Sequence, residues 1–443
     1  MTSLTVQILT DSQWRDAAQL TLTRPDLGAS SPSTLGYALD YAVEWMDRDD
    51  EYACSLNLPV ALMVEYEAPN WFRFLDDIVP SGAARRHWIN YLGLQNATHG
   101  QQTHALLTQG TIAPVGNLRI KEALPEVPAR STLHQRRFTV ADVVERHSDF
   151  LEYAQQRGAI SGGATGAGGE APKLLLRCSP DDEIWIDTFQ DNFTDPDTHY
   201  LVKFPRGNKT PDDCDILRAE FYFYHELQAM GVDTIATESM RLIEGERFPS
   251  LWLPRFDVRW KSGQWRRLGL ESIVSALDKP AGSYLNHFSV LETLCSHLKR
   301  RDDNFDSETF VCEWVKRDLL NIAFGNSDNH GRNSALLKES GNIWLSPVYD
   351  FAPMKADPEG ITRTTTWGAP FEEGGEYRWG LIAEKLAPLC DRSSTMKTLR
   401  QTATQLVGLK DRLRQRGVPE RILSMPAIGL DYLEEKLKRW SLL

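Results

Sequence analysis

No stretch of this 443-residue chain stays apolar for the roughly 18 residues that a membrane-crossing helix requires. Its first residues, Met1-Thr2-Ser3-Leu4, have no basic segment leading into an apolar core, so no secretory signal is expected there. Cysteine is scarce and unpatterned: the six residues at 54, 178, 214, 295, 312 and 390 show neither Cys-x-x-Cys nor Cys/His spacing. That argues against a structural zinc site or a disulfide framework and points to a reducing cytoplasm. Positive charge is also short. With 49 Lys and Arg against 61 Asp and Glu, the net charge is -12, whereas adhesion to nucleic acid or to an anionic membrane needs a positive field. The basic runs Arg136-Arg137, Arg266-Arg267 and Lys299-Arg300-Arg301 read as solvated faces. What remains is an ordinary globular composition, 41% hydrophobic and 25% charged. The length suits two or three domains of roughly 100 to 200 residues.

The most informative stretch is Asn326-Ser327-Asp328-Asn329-His330-Gly331-Arg332-Asn333, followed by Trp344-Leu345-Ser346-Pro347-Val348-Tyr349-Asp350. Asp328 and Asn333 share a polar loop, and Asp350 ends a short strand-like run. Phosphoryl transfer needs a carboxylate to orient the attacking hydroxyl, together with oxygen ligands for a metal that neutralises phosphate charge. Mg²⁺ takes only one or two carboxylates plus substrate oxygens and water. Asp328, Asn333 and Asp350 meet that demand in the order of the kinase catalytic and metal-binding motifs, although neither His-Arg-Asp nor Asp-Phe-Gly is strictly present. Taken alone, the loop reads equally well as turn chemistry, because Asn, Asp, Ser and Gly serve any turn. The apolar run Leu319 to Phe324 before it reads as the end of a buried helix, a rigid mount for such a loop.

Along the chain, residues 1 to about 150 mix strand-like runs (Leu4 to Leu9, Pro59 to Val64) with helix candidates at Phe72 to Asp77 and Ala83 to Leu94. The small-residue stretch Ser161 to Lys173 then runs into the apolar strand Leu174-Leu175-Leu176. Glycines there would let backbone N-H groups close on a phosphate, but the Gly-Lys-Ser/Thr ending of a P-loop is missing, and a flexible linker is the equal alternative. Tyr200 to Pro205 is an apolar strand carrying Lys203, a charge that is expensive to bury unless paired, and Glu220 on a helix from Asp212 to Met230 is its candidate partner. Pro249 to Asp257 reads as a strand leaving into an extended connector. From Ser272 onward the pattern is mainly helical, at Val290 to Leu298, Phe310 to Phe324, Leu381 to Leu389, Met396 to Leu413 and Ile422 to Trp440. The polar stretch between Asp350 and Leu381, with Thr362-Arg363-Thr364-Thr365-Thr366-Trp367, reads as a surface loop or a substrate-docking segment. The fold class expected is α+β with a two-lobed, protein-kinase-like arrangement: an amino-terminal α+β module over 1–150, a strand-rich lobe over 151–255 and a helical lobe over 256–443.

In order, Glu170-Ala171-Pro172-Lys173, Val202-Lys203-Phe204-Pro205, Arg255-Phe256-Asp257, Asp328 to Asn333 and Pro347-Val348-Tyr349-Asp350 resemble the HipA family of bacterial serine/threonine kinases, the toxin halves of toxin-antitoxin pairs. Ser55 to Val60, Phe74 to Pro80 and Val115-Gly116-Asn117-Leu118 resemble that family's amino-terminal module, so the likeness runs through nearly the whole chain. The resemblance implies ATP and Mg²⁺ as cofactors. It makes Asp328 the catalytic base and Asn333 and Asp350 the metal ligands, and it puts Lys203 on the ATP phosphates. Gly166, Ala167, Gly168, Gly169, Glu170 and Lys173 would line a nucleotide loop, Leu253, Pro254 and Arg255 would contact adenine, and His330 would approach the nucleotide. The family's prototype autophosphorylates a loop serine; the matching position here is Thr165, with Ser161 upstream. A HipB-type antitoxin and a protein substrate, such as a translation factor or tRNA synthetase, are the implied partners. The competing readings are a small-molecule kinase on the same scaffold, a nucleotide-binding pseudokinase that regulates by contact, and a metal-dependent nuclease using Asp328, Asn333 and Asp350.

Overall fold

The computed structural model describes residues 1–125, 136–156 and 171–443. It divides into two units: Met1–Gly207 with Glu238–Ala281 and Ala335–Ser346, and Asn208–Thr237 with Gly282–Ser334 and Pro347–Leu443. The stretch Ser161 to Glu170, with Thr165 and Gly166 to Gly169, lies outside the described residues.

The first unit is built on strands. A five-stranded antiparallel sheet runs in the order Glu65–Ala68, Ser33–Tyr37, Gln13–Leu22, Thr2–Thr10, Leu118–Ile120. Leu4, Val6 and Ile8 are buried at the two-residue period of a strand with one covered face, and they pack with Leu20, Leu35, Trp71, Phe74 and Leu75. Asp11 and Ser12 close the first hairpin with φ of 48° and 61°, the left-handed pair that matches strand twist. A six-stranded sheet follows, in the order Arg241–Glu244, Pro249–Pro254, Thr198–Lys203, Lys173–Cys178, Glu183–Trp185, Phe138–Thr139, again antiparallel throughout. Its central strand Lys173–Cys178 is buried along its length, as expected for a run with both faces covered. The expected strand at Pro59 to Val64 does not form. Val60 exchanges single backbone bonds with Asp47 and Arg48, and Leu62, Met63 and Val64 are exposed.

The three amino-terminal motifs that carried the family resemblance turn out to be docking points. Ser55 Oγ (2.5 Å) and the Leu56 N-H (2.9 Å) both donate to the Glu271 carboxylate, and the Asn57 amide reaches the carbonyls of Ser275 and Ala276. Asp77 accepts from the Ser272 N-H and hydroxyl at 2.8 and 2.7 Å. The Gly116 N-H donates to Asp257 at 2.7 Å, and Asn117 donates to the Glu51 carbonyl. Glu271, fully buried, also holds Lys338 at 2.7 Å. Burial alone would raise its carboxyl, but the ammonium overrides this and keeps it below its ordinary value.

The second unit is helical. Pro211–Ala229 starts with Pro211 in its first turn and a capping box between Thr210 and Asp213. Ser307–Phe324 is capped by Asp306 and ends at Gly325, whose φ of 72° is left-handed; a side chain there would run into Ile428. Two helices expected to be continuous are broken. Met396 to Leu413 splits into Arg392–Leu406 and Leu409–Arg416 at Gly408 (φ 70°), and Ile422 to Trp440 is interrupted by Pro426 and by Gly429 (φ 72°). The apolar periodicity carries across each break, which is why the pattern alone joined them.

Two measurements test these buried pairs. Lys338→Ala leaves Glu271 charged and unpaired, so the first unit loses about 3–5 kcal/mol in urea unfolding; an unchanged midpoint would contradict the pairing. Asp257 sits between Arg255 and Arg267. Although burial opposes it, those guanidiniums hold its carboxyl at about 2, below the ordinary 3.8. A depressed carboxylate stabilises the fold above its unfolded value and loses that contribution as pH falls towards the folded one. The stability gap between wild type and Asp257→Asn is therefore full above about pH 4 and shrinks towards about pH 2.

Candidate functional site

In the second unit the loop that follows Gly325 is fixed from both ends. Asn326 and Ser327 are buried; Asn326 donates to Asn321 through its backbone N-H (2.8 Å) and its side chain (3.0 Å). Past them the chain turns back on itself. The Asn333 N-H bonds the His330 carbonyl at 2.8 Å, and its side-chain amide bonds the Asp328 backbone carbonyl at 2.8 Å, so the two residues close one turn. The Asp328 side chain is 32% exposed, and His330 Nε2 lies 3.6 Å from it. Asn329 points the other way, donating to the Thr365 carbonyl and accepting from the Thr364 N-H. Tyr349 donates its hydroxyl to the Arg332 carbonyl at 2.7 Å, tying the loop to the segment that leads to Asp350.

Asp350 itself is left-handed, with φ of 51°. Such a backbone costs free energy in any residue with a Cβ and persists where its neighbours over-determine it. Here they do. Val348 is bridged to Thr234 in parallel, and Phe351 is buried against Phe223 and Phe324. The Phe351 N-H donates to the Tyr224 hydroxyl at 3.2 Å, and Tyr224 donates in turn to Glu220 Oε1 at 3.0 Å. Burial first, then the carboxylates of Glu220 and Asp350, pushes the Tyr224 phenol well above its ordinary range. It therefore stays a proton donor. One hydroxyl thus links Glu220 to the backbone immediately after Asp350.

The stretch Thr362 to Trp367 is not the surface loop that its composition suggested. Thr365 and Thr366 pair in parallel with Leu285 and Asn286, and Trp367 is buried. Asp318, on the buried stripe of the helix Ser307–Phe324, accepts from Arg363 (2.8 Å) and from the Trp367 indole (2.8 Å). His287 Nε2 lies 3.4 Å away; because its Nδ1 accepts from Trp314, the Nε2 carries the proton that faces Asp318. Burial would raise the Asp318 carboxyl, yet Arg363 and then His287 hold it far below its ordinary value. This network was missed, although a lone aspartate among Trp314, Val315, Leu319 and Ile322 was the signal for it.

In the first unit Lys173 and Lys203 are direct cross-strand partners, both buried, each on a strand that alternates around the same core. Leu253 and Pro254 pair with Leu201 and Tyr200, and the Arg255 N-H continues the ladder to His199. The Arg255 guanidinium forks onto Asp257. Lys203 and Glu220 belong to different units.

Tyr224→Phe removes the donor to Glu220 and the acceptor for Phe351 while preserving the ring, and it is expected to cost about 1–3 kcal/mol. A fall in unfolding midpoint, with new hydrogen exchange at the Phe351 amide, checks it; an unaltered exchange rate there would show that the bridge is not made.

The chain matches the family model described as the HipA-like C-terminal domain over residues 165–409. No curated protein matches it. Among solved structures it is similar to the HipA of Shewanella oneidensis MR-1, seen in a toxin-antitoxin complex of HipA, HipB and operator DNA, with 15% identity and a TM-score of 0.66 over 99% of this chain and 97% of that one. A proinflammatory kinase of Helicobacter pylori, CtkA, aligns with 13% identity and a TM-score of 0.37 over 62% of this chain and 91% of that one. With the family model covering more than half of its residues and the HipA fold extending over nearly all of it, the chain belongs to the HipA-like family.

Proposed function

We propose that this protein is a Mg-ATP-dependent serine/threonine protein kinase of toxin type, which phosphorylates a cellular protein and so inhibits growth. The observation that carries the reading is the construction of the second unit's loop. Asp328 and Asn333 are closed into one turn, and Asp350 is held in a costly left-handed conformation beside a hydroxyl-linked Glu220. That arrangement sets a partly exposed carboxylate, an amide and a second carboxylate on adjoining segments, which suits phosphoryl transfer.

The donor set fits magnesium, because one carboxylate and one amide oxygen leave the remaining positions to phosphate oxygens and water. Asn333 and Asp350 would hold the ion, which when bound neutralises charge developing on the phosphates. The partly exposed Asp328 carboxylate orients the substrate hydroxyl and accepts its proton, and His330 lies beside it. Lys203 and Lys173, whose ammonium groups share one strand pair, contact the phosphates. Leu253, Pro254 and Arg255 bear on the adenine, with Arg255 offering backbone and aliphatic surface because its guanidinium is taken by Asp257. For Gly166 to Glu170, which lie outside the described residues, nucleotide contact rests on the family resemblance, as does autophosphorylation at Thr165 or Ser161. Membership of the HipA-like family supports a HipB-type antitoxin as partner, as in the Shewanella complex. The protein substrate is a translation factor or tRNA synthetase, met in the cytoplasm.

Incubation with labelled ATP and Mg²⁺ tests the proposal. Asp328→Asn is expected to lower transfer by about 10²–10⁴-fold and to relieve growth inhibition with an unchanged Tm. Wild-type transfer by that variant would overturn the assignment, and phosphate recovered on a metabolite instead of on protein would overturn the substrate class.

A further inference from the structure

Outside the candidate site, a pair of nucleophilic side chains lies close together. Cys312, on the helix Ser307–Phe324, and Cys390, just ahead of the helix Arg392–Leu406, have their sulfurs 3.6 Å apart although they are 78 positions apart in the chain. A disulfide needs about 2.05 Å, so a small side-chain adjustment separates the two states. The surrounding backbone is already anchored: Ser307 donates its hydroxyl to the Leu389 carbonyl at 2.8 Å, one residue from Cys390. All six cysteines lie within the described residues, and Cys312 alone is not buried.

We propose that Cys312 and Cys390 form a reversible disulfide, in which a peroxide oxidises Cys312 and Cys390 resolves the product. The two thiols divide the work by exposure. Cys312 is within reach of solvent, whereas Cys390 is buried, and burial followed by its neighbour Cys312 pushes its thiol up to about 12. Cys390 is therefore the slower of the two to react with a free peroxide, and it attacks only the Cys312 sulfur that the fold holds against it. In the first step the Cys312 sulfur attacks one oxygen of hydrogen peroxide. The O–O bond breaks, the departing hydroxide takes up a proton as water, and Cys312 becomes a sulfenic acid, oxidised by two electrons. In the second, the Cys390 sulfur attacks the Cys312 sulfur, the S–S bond forms, and the S–OH bond breaks. Its hydroxide leaves as water with the Cys390 proton. Two thiols and one peroxide thus yield one disulfide and two waters, and a dithiol reductant reverses the change.

The consequence follows from where the ring closes. The segment between the two cysteines contains Asp318, Asp328, Asn333, Asp350, Arg363 and Trp367, so the bond joins the start of the helix that feeds the catalytic loop to the far end of the segment that buttresses it. Oxidation therefore restrains opening of that whole stretch in the unfolded ensemble.

The full-length protein, treated with a few equivalents of hydrogen peroxide and mapped by mass spectrometry without reduction, tests this. Expected are a loss of about 2 Da, one linked peptide joining Cys312 to Cys390, a Tm raised by several degrees, and full reversal by dithiothreitol. Cys390→Ser should stop at a sulfenic acid on Cys312 that dimedone captures, whereas Cys312→Ser should yield no linked peptide. Over-oxidation of Cys312 to sulfinic acid in the wild type, linkage to another cysteine or between two chains, or an unmodified Cys312 would each overturn the proposal. The wild-type peptide map is decisive without either variant, so a folding defect in Cys390→Ser leaves the test intact.

Discussion

The Tyr224 hydroxyl is the bond on which the arrangement around Asp350 depends. It donates to Glu220 on one helix and accepts from the backbone of Phe351 in a distant segment, so the position of a carboxylate and the direction of the chain after Asp350 are set together. An aromatic group formed by Phe223, Phe324 and Phe351 packs beside it. Phe324 is the last residue of the helix that precedes the loop at Asp328. The helices Pro211–Ala229 and Ser307–Phe324 and the segment after Asp350 thus share one small core. A displacement in any of them is felt by the other two, because close-packed interiors transmit strain in place of absorbing it.

Buried charges do the corresponding work elsewhere. Glu271 gathers Ser55, Leu56, Ser275 and Lys338; Asp257 gathers Gly116 and Arg255; Asp318 gathers Arg363, Trp367 and His287. In each case one carboxylate bonds at least one group from a segment remote in sequence. Removing a single partner leaves a charge in low dielectric, whereas the intact set is compensated. Such hubs specify which segments meet more sharply than apolar contacts do, since an apolar face accepts many partners and a buried carboxylate accepts few. This explains why short polar motifs such as Ser55 to Asn57 carried the resemblance to a family: they mark the junctions of the fold.

How far the fold was legible follows from the same distinction. Elements with a strong local pattern, such as Leu4 to Leu9, Tyr200 to Pro205 and Asp212 to Met230, were read within a residue or two, because a run of buried apolar residues marks them. The loop at Asp328 stood out by its apolar flanks and by the order of the motifs around it, since its residue types alone serve any turn; its closure by the Asn333 amide on the Asp328 carbonyl was not read. The helix breaks at Gly408 and Gly429 were not read, since the apolar stripe continues past them. The anchoring of Thr362 to Trp367 was invisible for a different reason. Its partners Asp318 and Leu285 lie tens of residues upstream, and the polar composition of the stretch describes a surface equally well. Lys203 was singled out by the rule that a charge in an apolar run needs a partner; Asp318 obeys the same rule and would have fallen to it.

The opposed lysines of the first unit fall under that rule together. Lys173 and Lys203 face each other across two adjacent strands, both almost wholly buried. Like charges directly opposite in a sheet repel, and each ammonium loses hydration on burial. In the next registers the sheet pairs aliphatic side chains, Leu174 with Val202 and Leu175 with Leu201, so this one register holds two charges that need partners of their own. The strand register, not loop flexibility, sets the spacing of the two side chains.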